Sequence, residues 1–339
     1  MKALIRDNND PNRSLSHHDY TIAWISALPT EMAVAEAMLD ERYPDLPTPQ
    51  NDDNTYIFGR VNTHNIIIAC LPAGVYGTTS AATIASQIRS TFPSLRFCLM
   101  VGIGGGVPSA HAADIRLGDV VVSKPTGHFG GVIQYDYGKS LSNGRFDRIG
   151  MLNKLPLVLL TATSRLQAAH MLRPSRIPEL ISDMVIKYPA MKDQFTYPSN
   201  AQDLLFDSEY DHHGNSGDTC ANCDTRRQVN RVARANHNPA IHYGLIGSAN
   251  QVMKDGRIRD TPAQELGILC FEMEAAGLMD NFPCLVIRGI CDYADSHKHK
   301  QWQQYAAATA AAYAKELLSV IQTNQVVDTP TASISDGRW

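Results

Sequence analysis

Short apolar runs, each closed by glycine, proline or a carboxylate, alternate along this chain with stretches whose apolar residues recur at helical spacing. TIAWISAL is the first such run and reads as a strand; Pro29 then opens a helix through Leu39, proline being tolerated in a first helical turn. After a polar loop rich in Pro, Asn and Asp, YIFGRV and NIIIACL predict a hairpin around Asn62–Asn65. A segment of small residues becomes helical from about Thr78, and LRFCLMVGIGGGVP predicts a buried strand ending in Gly104-Gly105-Gly106. DIRLGDVVVSKP and GVIQYDYGK add strands, and Leu157–Leu172 a helix. Residues 189–238 are polar and irregular, too long for a simple connection, and predict a lid or an insertion. IHYGLIGSA, Cys270–Glu274 and Pro283–Ile290 return to extended structure before an alanine-rich helix from about Gln301 to Ile321. The alternation predicts one α/β domain over residues 20–322, a three-layer α/β/α arrangement with a central mixed sheet, between flexible tails at 1–19 and 323–339.

Composition narrows the function without choosing it. The 339 residues are 44% hydrophobic, enough for a full core, and the formal charge of -4 leaves no basic footprint for nucleic acid. No apolar run has membrane-spanning length, and the opening MKALIRDNNDPNRSLSHHDY lacks the apolar centre of a secretory signal, so a cytoplasmic location is expected. Seven cysteines, with Cys70, Cys98, Cys270 and Cys284 inside apolar runs, fit reduced packing residues better than disulfides.

Chemistry concentrates where carboxylates sit just beyond segments too apolar for the surface. If Cys270–Glu274 stays extended, Glu272 and Glu274 project to one face and Met273 to the other. Asp292 emerges at the end of a buried strand, where desolvation favours its protonated form, and ligands of open α/β sheets bind at that edge. Arg288, on the same strand, is expected to orient Asp292; such a pair is worth about 4 kcal/mol at roughly 4 Å in an effective dielectric near 20. Glu31 falls on the first β-to-α turn. The loop HHGNSGDTCANCDTRR offers His212, His213, Cys220 and Cys223, but one Cys-x-x-Cys is half a zinc motif and the histidines are adjacent, so no metal is expected and the loop reads as a lid.

Four separated pieces occur in the order of a known family: Ala27–Glu31, MVGIGGG (Met100–Gly106), FEMEAAG (Phe271–Gly277) and VIRGICDYAD (Val286–Asp295). With them the chain resembles the nucleoside phosphorylase and nucleosidase superfamily, in its purine branch. VGIGGGVP, IHYGL, CFEMEAAGLM and RGICDYAD also resemble a fungal subgroup that often precedes nucleotide-binding and repeat modules. The resemblance implies that Glu274 binds the ribose 2′ and 3′ oxygens, Met273 packs on the sugar, Asp292 protonates the purine N7, and Glu31 activates water. It implies no cofactor and a homo-oligomer, a dimer first.

Departures from the family pattern bear on the nucleophile and the base. Similar phosphorylases carry a Gly-Asp-Pro turn with an arginine where this chain has Ala-Leu-Pro-Thr-Glu, and Ile103 replaces a hydroxyl residue in the glycine run. Backbone N–H groups of Gly104–Gly106 are left as a candidate anion nest. Gln251 stands where similar nucleosidases stack an aromatic, which moves base recognition to Phe271, Asn250 or the long loop. Glu272 reads as a structural or solvated acid, second to Glu274 as a sugar contact. The resulting expectation is a purine nucleoside N-ribohydrolase, with a phosphate-dependent phosphorylase and a non-catalytic nucleoside sensor as alternatives.

Overall fold

In the computed structural model, residues 15–108, 113–142, 145–214, 219–279, 282–298 and 300–332 are described. Runs of β-branched and aliphatic residues form the centre of the sheet: β1 (Ile22–Ser26) is buried throughout, as is most of β4 (His64–Cys70). They lie parallel, Trp24 opposite Ile68, and β1 pairs on its other side with β5 (Phe97–Gly106). Beyond β4 come β3 (Tyr56–Val61) and β2 (Glu41–Tyr43), both antiparallel; Asn62 makes the hairpin turn at φ 52°. On the other flank follow β12 (Cys284–Asp292), β6 (Val120–Ser123), β10 (Ile241–Ser248) and β11 (Ile268–Glu272), and β7 (Val132–Gln134) pairs with β10. A small separate sheet joins β8 (Gly138–Ser140) to β9 (Phe146–Arg148).

The main sheet mixes parallel and antiparallel pairs, and it curls. β11 pairs in parallel with β10 and also antiparallel with the end of β5, Phe271 opposite Gly105. The glycine run makes that return possible. A Cβ at Gly104 would lie 3.1 Å from the Phe271 carbonyl oxygen, and one at Gly106 would lie 2.8 Å from the Ile290 side chain. The expected anion nest is therefore not formed: Gly104–Gly106 continue the strand, none at positive φ, because sheet pairing on both sides holds them extended.

Helices cover the sheet. α1 (Pro29–Ala37), α2 (Thr78–Thr91) and α3 (Leu157–Leu172) begin where the sequence predicts them, and α4 (Ile177–Lys187), with a proline in its first turn, is a helix beyond those the sequence predicts. α5 (Lys192–Phe195) lies within the long excursion. The hydrophobic pattern did not announce α6 (Gly256–Leu266), because Pro262 interrupts it; Asp255 caps it by accepting the N–H groups of Arg257 and Ile258 at 2.9 and 3.2 Å. α7 (Ala275–Met279) follows β11 directly, and α8 (Gln303–Ser319) is the alanine-rich helix. α8 sits directly on β12, since a Cβ at Gly289 would overlap the Ala306 carbonyl.

Two segments differ from the pattern. The stretch expected to fray after residue 322 forms α9 (Thr323–Asp328), with Val326 buried and the Ala332 N–H donating to the Leu95 carbonyl at 2.7 Å. Among its described residues the 189–238 excursion holds short helical turns and an isolated bridge between Phe206 and Gln228; Arg234 anchors it to buried Asp119 at 2.6 Å, and Arg231 and Asp203 pair within it at 3.0 Å. Among the described residues no helix is long and apolar enough to cross a membrane.

Candidate active site

The C-terminal ends of β1, β5, β11 and β12 converge on a cavity of about 390 Å³. Glu31, in the first turn of α1, reaches its floor. One carboxylate oxygen accepts the N–H groups of Ala27 (2.7 Å) and Leu28 (3.0 Å), the other that of Ile103 (2.8 Å). Gly102 has no side chain because Glu31 and Arg288 occupy that space. Burial pushes the Glu31 carboxyl above its ordinary range; Arg288 and the three N–H groups pull the other way without offsetting it.

Arg288 organises the rest. Its guanidinium contacts the Glu272 carboxylate directly, lies 3.6 Å from that of Glu274, and donates to the Ile103 carbonyl at 3.4 Å. Glu272 in turn accepts the N–H groups of Glu274 (3.2 Å) and Ala275 (3.0 Å), which fixes the turn from β11 into α7. Three buried carboxylates thus share one buried guanidinium. Burial, then the charge of Glu272, pushes the Glu274 carboxyl up to about 7 against the pull of Arg288.

Asp292 stands across the cavity. It accepts the Ala294 N–H at 2.8 Å and pairs with the Lys298 ammonium at 3.0 Å. Burial lowers the Lys298 pKa, but the Asp292 carboxylate outweighs it and the net shift is upward. A Cβ on Gly105 would lie 2.7 Å from Asp292 Oδ1, so the glycine makes room for this acid too.

Of the residues singled out in the sequence, Glu31, Ile103, Gly104, Gly105, Gln251, Phe271, Glu272, Met273, Glu274, Arg288 and Asp292 all line the cavity. Asn250 does not: its side-chain oxygen accepts from the N–H and hydroxyl of Thr78 and caps α2. Arg288 pairs with Glu272 and Glu274 and not with Asp292, because a register shift between Ile290 and Asp292 breaks the strand's alternation. Glu272 is 7% exposed and ion-paired, not solvated. Met273 faces the cavity beside the glutamates, since β11 ends at Glu272 and alternation ends with it. Asp292 has a cation beside it in place of the apolar surroundings expected of a strand end.

Tyr76, Lys254, Lys298 and Lys300 also line the cavity. Tyr76, Lys254 and Lys298 lie in loops with no periodicity and Lys300 opens a short 3₁₀ turn, so only the lysine soon after Asp292 offered a signal. Away from the cavity, His212, Cys220 and Cys223 come together, while His213 is exposed.

The fold has the form of a nucleoside phosphorylase or nucleosidase. A family model for the phosphorylase superfamily matches residues 21–322, and the chain belongs to that family. A nucleotide-binding leucine-rich repeat (NLR)-like protein of Hyaloscypha variabilis is 47% identical over 311 residues, 91% of this chain and 30% of that one. The chain therefore spans under a third of that relative's length, and the match fits the fungal subgroup. The 5′-methylthioadenosine/S-adenosylhomocysteine nucleosidase of Mycobacterium bovis is 22% identical over 309 residues, 89% of this chain and 96% of that one. Among solved structures, the futalosine hydrolase of Helicobacter pylori superimposes with a TM-score of 0.56 at 14% identity, covering 90% of this chain and 99% of that one. At such identities the last two likenesses establish the fold.

Proposed function

We propose that the chain is a purine nucleoside N-ribohydrolase, releasing free base and ribose by attack of water. Glu31 supports this reading most: three backbone N–H groups converge on its carboxylate, at the floor of a cavity that holds two more buried acids. Breaking the glycosidic bond develops positive charge on the sugar and negative charge on the base. Glu274 takes the ribose hydroxyls and, with Glu31, faces the incipient cation; Met273 packs against the ring. Glu31 orients the water and accepts its proton. The Asp292–Lys298 pair delivers a proton to the departing purine nitrogen. Arg288 touches no reacting atom and positions the two glutamates of β11 and its turn.

Phosphate fits this cavity poorly. A dianion would approach three carboxylates served by one guanidinium, and the N–H group of Ile103 is already engaged by Glu31. Water meets no such repulsion. Free base and ribose appearing in phosphate-free buffer is the expected result; ribose 1-phosphate formed only on added phosphate moves the chain to the phosphorylase class.

Adenosine, guanosine and inosine assayed side by side sort the base preference. The NLR-like relative supports a second reading, a nucleoside-sensing module within a larger protein. Tight binding of purine nucleosides without turnover at any pH would establish it. The proposal also carries a cytoplasmic homo-oligomer needing no organic cofactor, with light scattering of the purified chain testing its assembly.

A further inference from the structure

The excursion and the segment after Asp292 meet at a cluster that the proposed chemistry does not use. The Nδ1 of His212 and the sulfurs of Cys220 and Cys223 all lie within 4.8 Å of one another. Nδ1 is 3.2 Å from the Cys223 sulfur and 4.0 Å from the Cys220 sulfur. Zinc–sulfur bonds of about 2.3 Å and zinc–nitrogen bonds of about 2.0 Å at tetrahedral angles put sulfur and nitrogen roughly 3.5 Å apart, between those two distances.

His297 stands next to this trio, outside the group whose ligand atoms lie within 4.8 Å of one another. The His297 ring meets that of His212 edge-on, with centroids 5.5 Å apart, and is 7% exposed. Neither of its nitrogens makes a hydrogen bond among the described residues. Its Nδ1 faces the Asp295 carboxylate at 3.6 Å, beyond hydrogen-bond reach, and a small movement of the ring would let that carboxylate orient it and leave Nε2 for the ion. Phe206 stacks on the ring at 4.2 Å and Cys223 is buried, so the site is dry on that side.

We propose that His212, Cys220 and Cys223 form a structural site for a zinc-type divalent cation, with the neighbouring His297 ring turning in as the fourth ligand of a Cys2His2 set. The two thiols bind as thiolates, each releasing a proton, and the ion takes the lone pairs of the two imidazoles. It ties the excursion to the loop that carries Lys298, the partner of Asp292; the His212 N–H donates to the Ser296 hydroxyl at 2.9 Å along the same seam. The half motif in the sequence is completed by a histidine 85 positions downstream of His212.

The test reads metal and not turnover, so it stands apart from the hydrolase reading. The full chain, purified under reducing conditions without chelator, should carry about one zinc per chain by elemental analysis. Cobalt(II) exchanged for it should give tetrahedral visible bands with thiolate charge transfer. Cys220→Ser with Cys223→Ser should lose the metal, and His297→Ala should weaken it by about 10–100-fold or more in a competition titration. Removing zinc from the wild-type chain should lower its Tm, and readdition should restore it. Wild-type protein that stays below about 0.1 zinc per chain after equilibration with micromolar zinc would overturn the site. So would a Cys220–Cys223 disulfide as the resting state, and so would a His297→Ala variant that holds zinc as tightly as wild type, which would remove the fourth ligand.

Discussion

Glu274→Gln separates the charge of the acid cluster from its shape. The side chain is 6% exposed, and its carboxyl is raised from 4.5 to about 7 by burial first and by Glu272 second. Because the folded-state pKa lies above the unfolded one, the folded chain binds more protons within that window, and stability is lost as pH rises through it. The shift corresponds to about 3 kcal/mol of stability present below about pH 4.5 and lost above about pH 7. Glutamine keeps the volume and does not titrate. Relative to the wild type, the variant should therefore gain about 3 kcal/mol between about pH 4.5 and about pH 8. The transition should be broad, since the carboxyl of neighbouring Glu31 is also raised by burial and its charge acts on Glu274. Urea unfolding with linear extrapolation at both pH values measures it. Stability curves of wild type and variant that run parallel, within about 0.5 kcal/mol, would refute the claim that burial and neighbouring acids hold this carboxyl up.

Three further outcomes follow from the same geometry. Glu31→Gln presents an amide NH2 to N–H donors that now meet two oxygens, so stability should fall by about 1–3 kcal/mol in chemical denaturation and turnover should fall with it. Asp292→Asn should reduce kcat by about 10²–10⁴ with little change in nucleoside binding by calorimetry, whereas Lys298→Met should alter the pH profile of kcat first. Gly105→Ala places a methyl 2.7 Å from Asp292 Oδ1 and 2.8 Å from the Ala294 side chain; it should cost about 1–3 kcal/mol of stability and lower kcat more than it raises KM.

Much of the fold was legible because its signals are local. The buried runs around Trp24, Ile67, Leu99 and Val286 could only be interior strands, and Pro29 and Thr78 mark helix starts. α6 was hidden by Pro262, and α9 by a segment whose few apolar residues, Val326 and Ala332, matter only once Leu95 is beside them. The cavity's acids were legible as well, for carboxylates next to apolar runs must find a partner or a purpose. Their pairing was not: alternation along β12 put Arg288 with Asp292, and one register shift gave each a different partner.

The order of residues by itself determined the α/β class, the strands that form the core, and which acids would be buried at their ends, since burial and periodicity are properties of short stretches. Only tertiary structure decided who meets whom. Lys298 reaches Asp292, Glu31 takes the Ile103 N–H from a strand 72 positions on, and His297 comes to stand beside His212. Contacts of this kind depend on distances of a few ångströms that no short stretch of sequence sets, and the sheet's curl in the same way brings the acids of β11 and its turn against the end of β5.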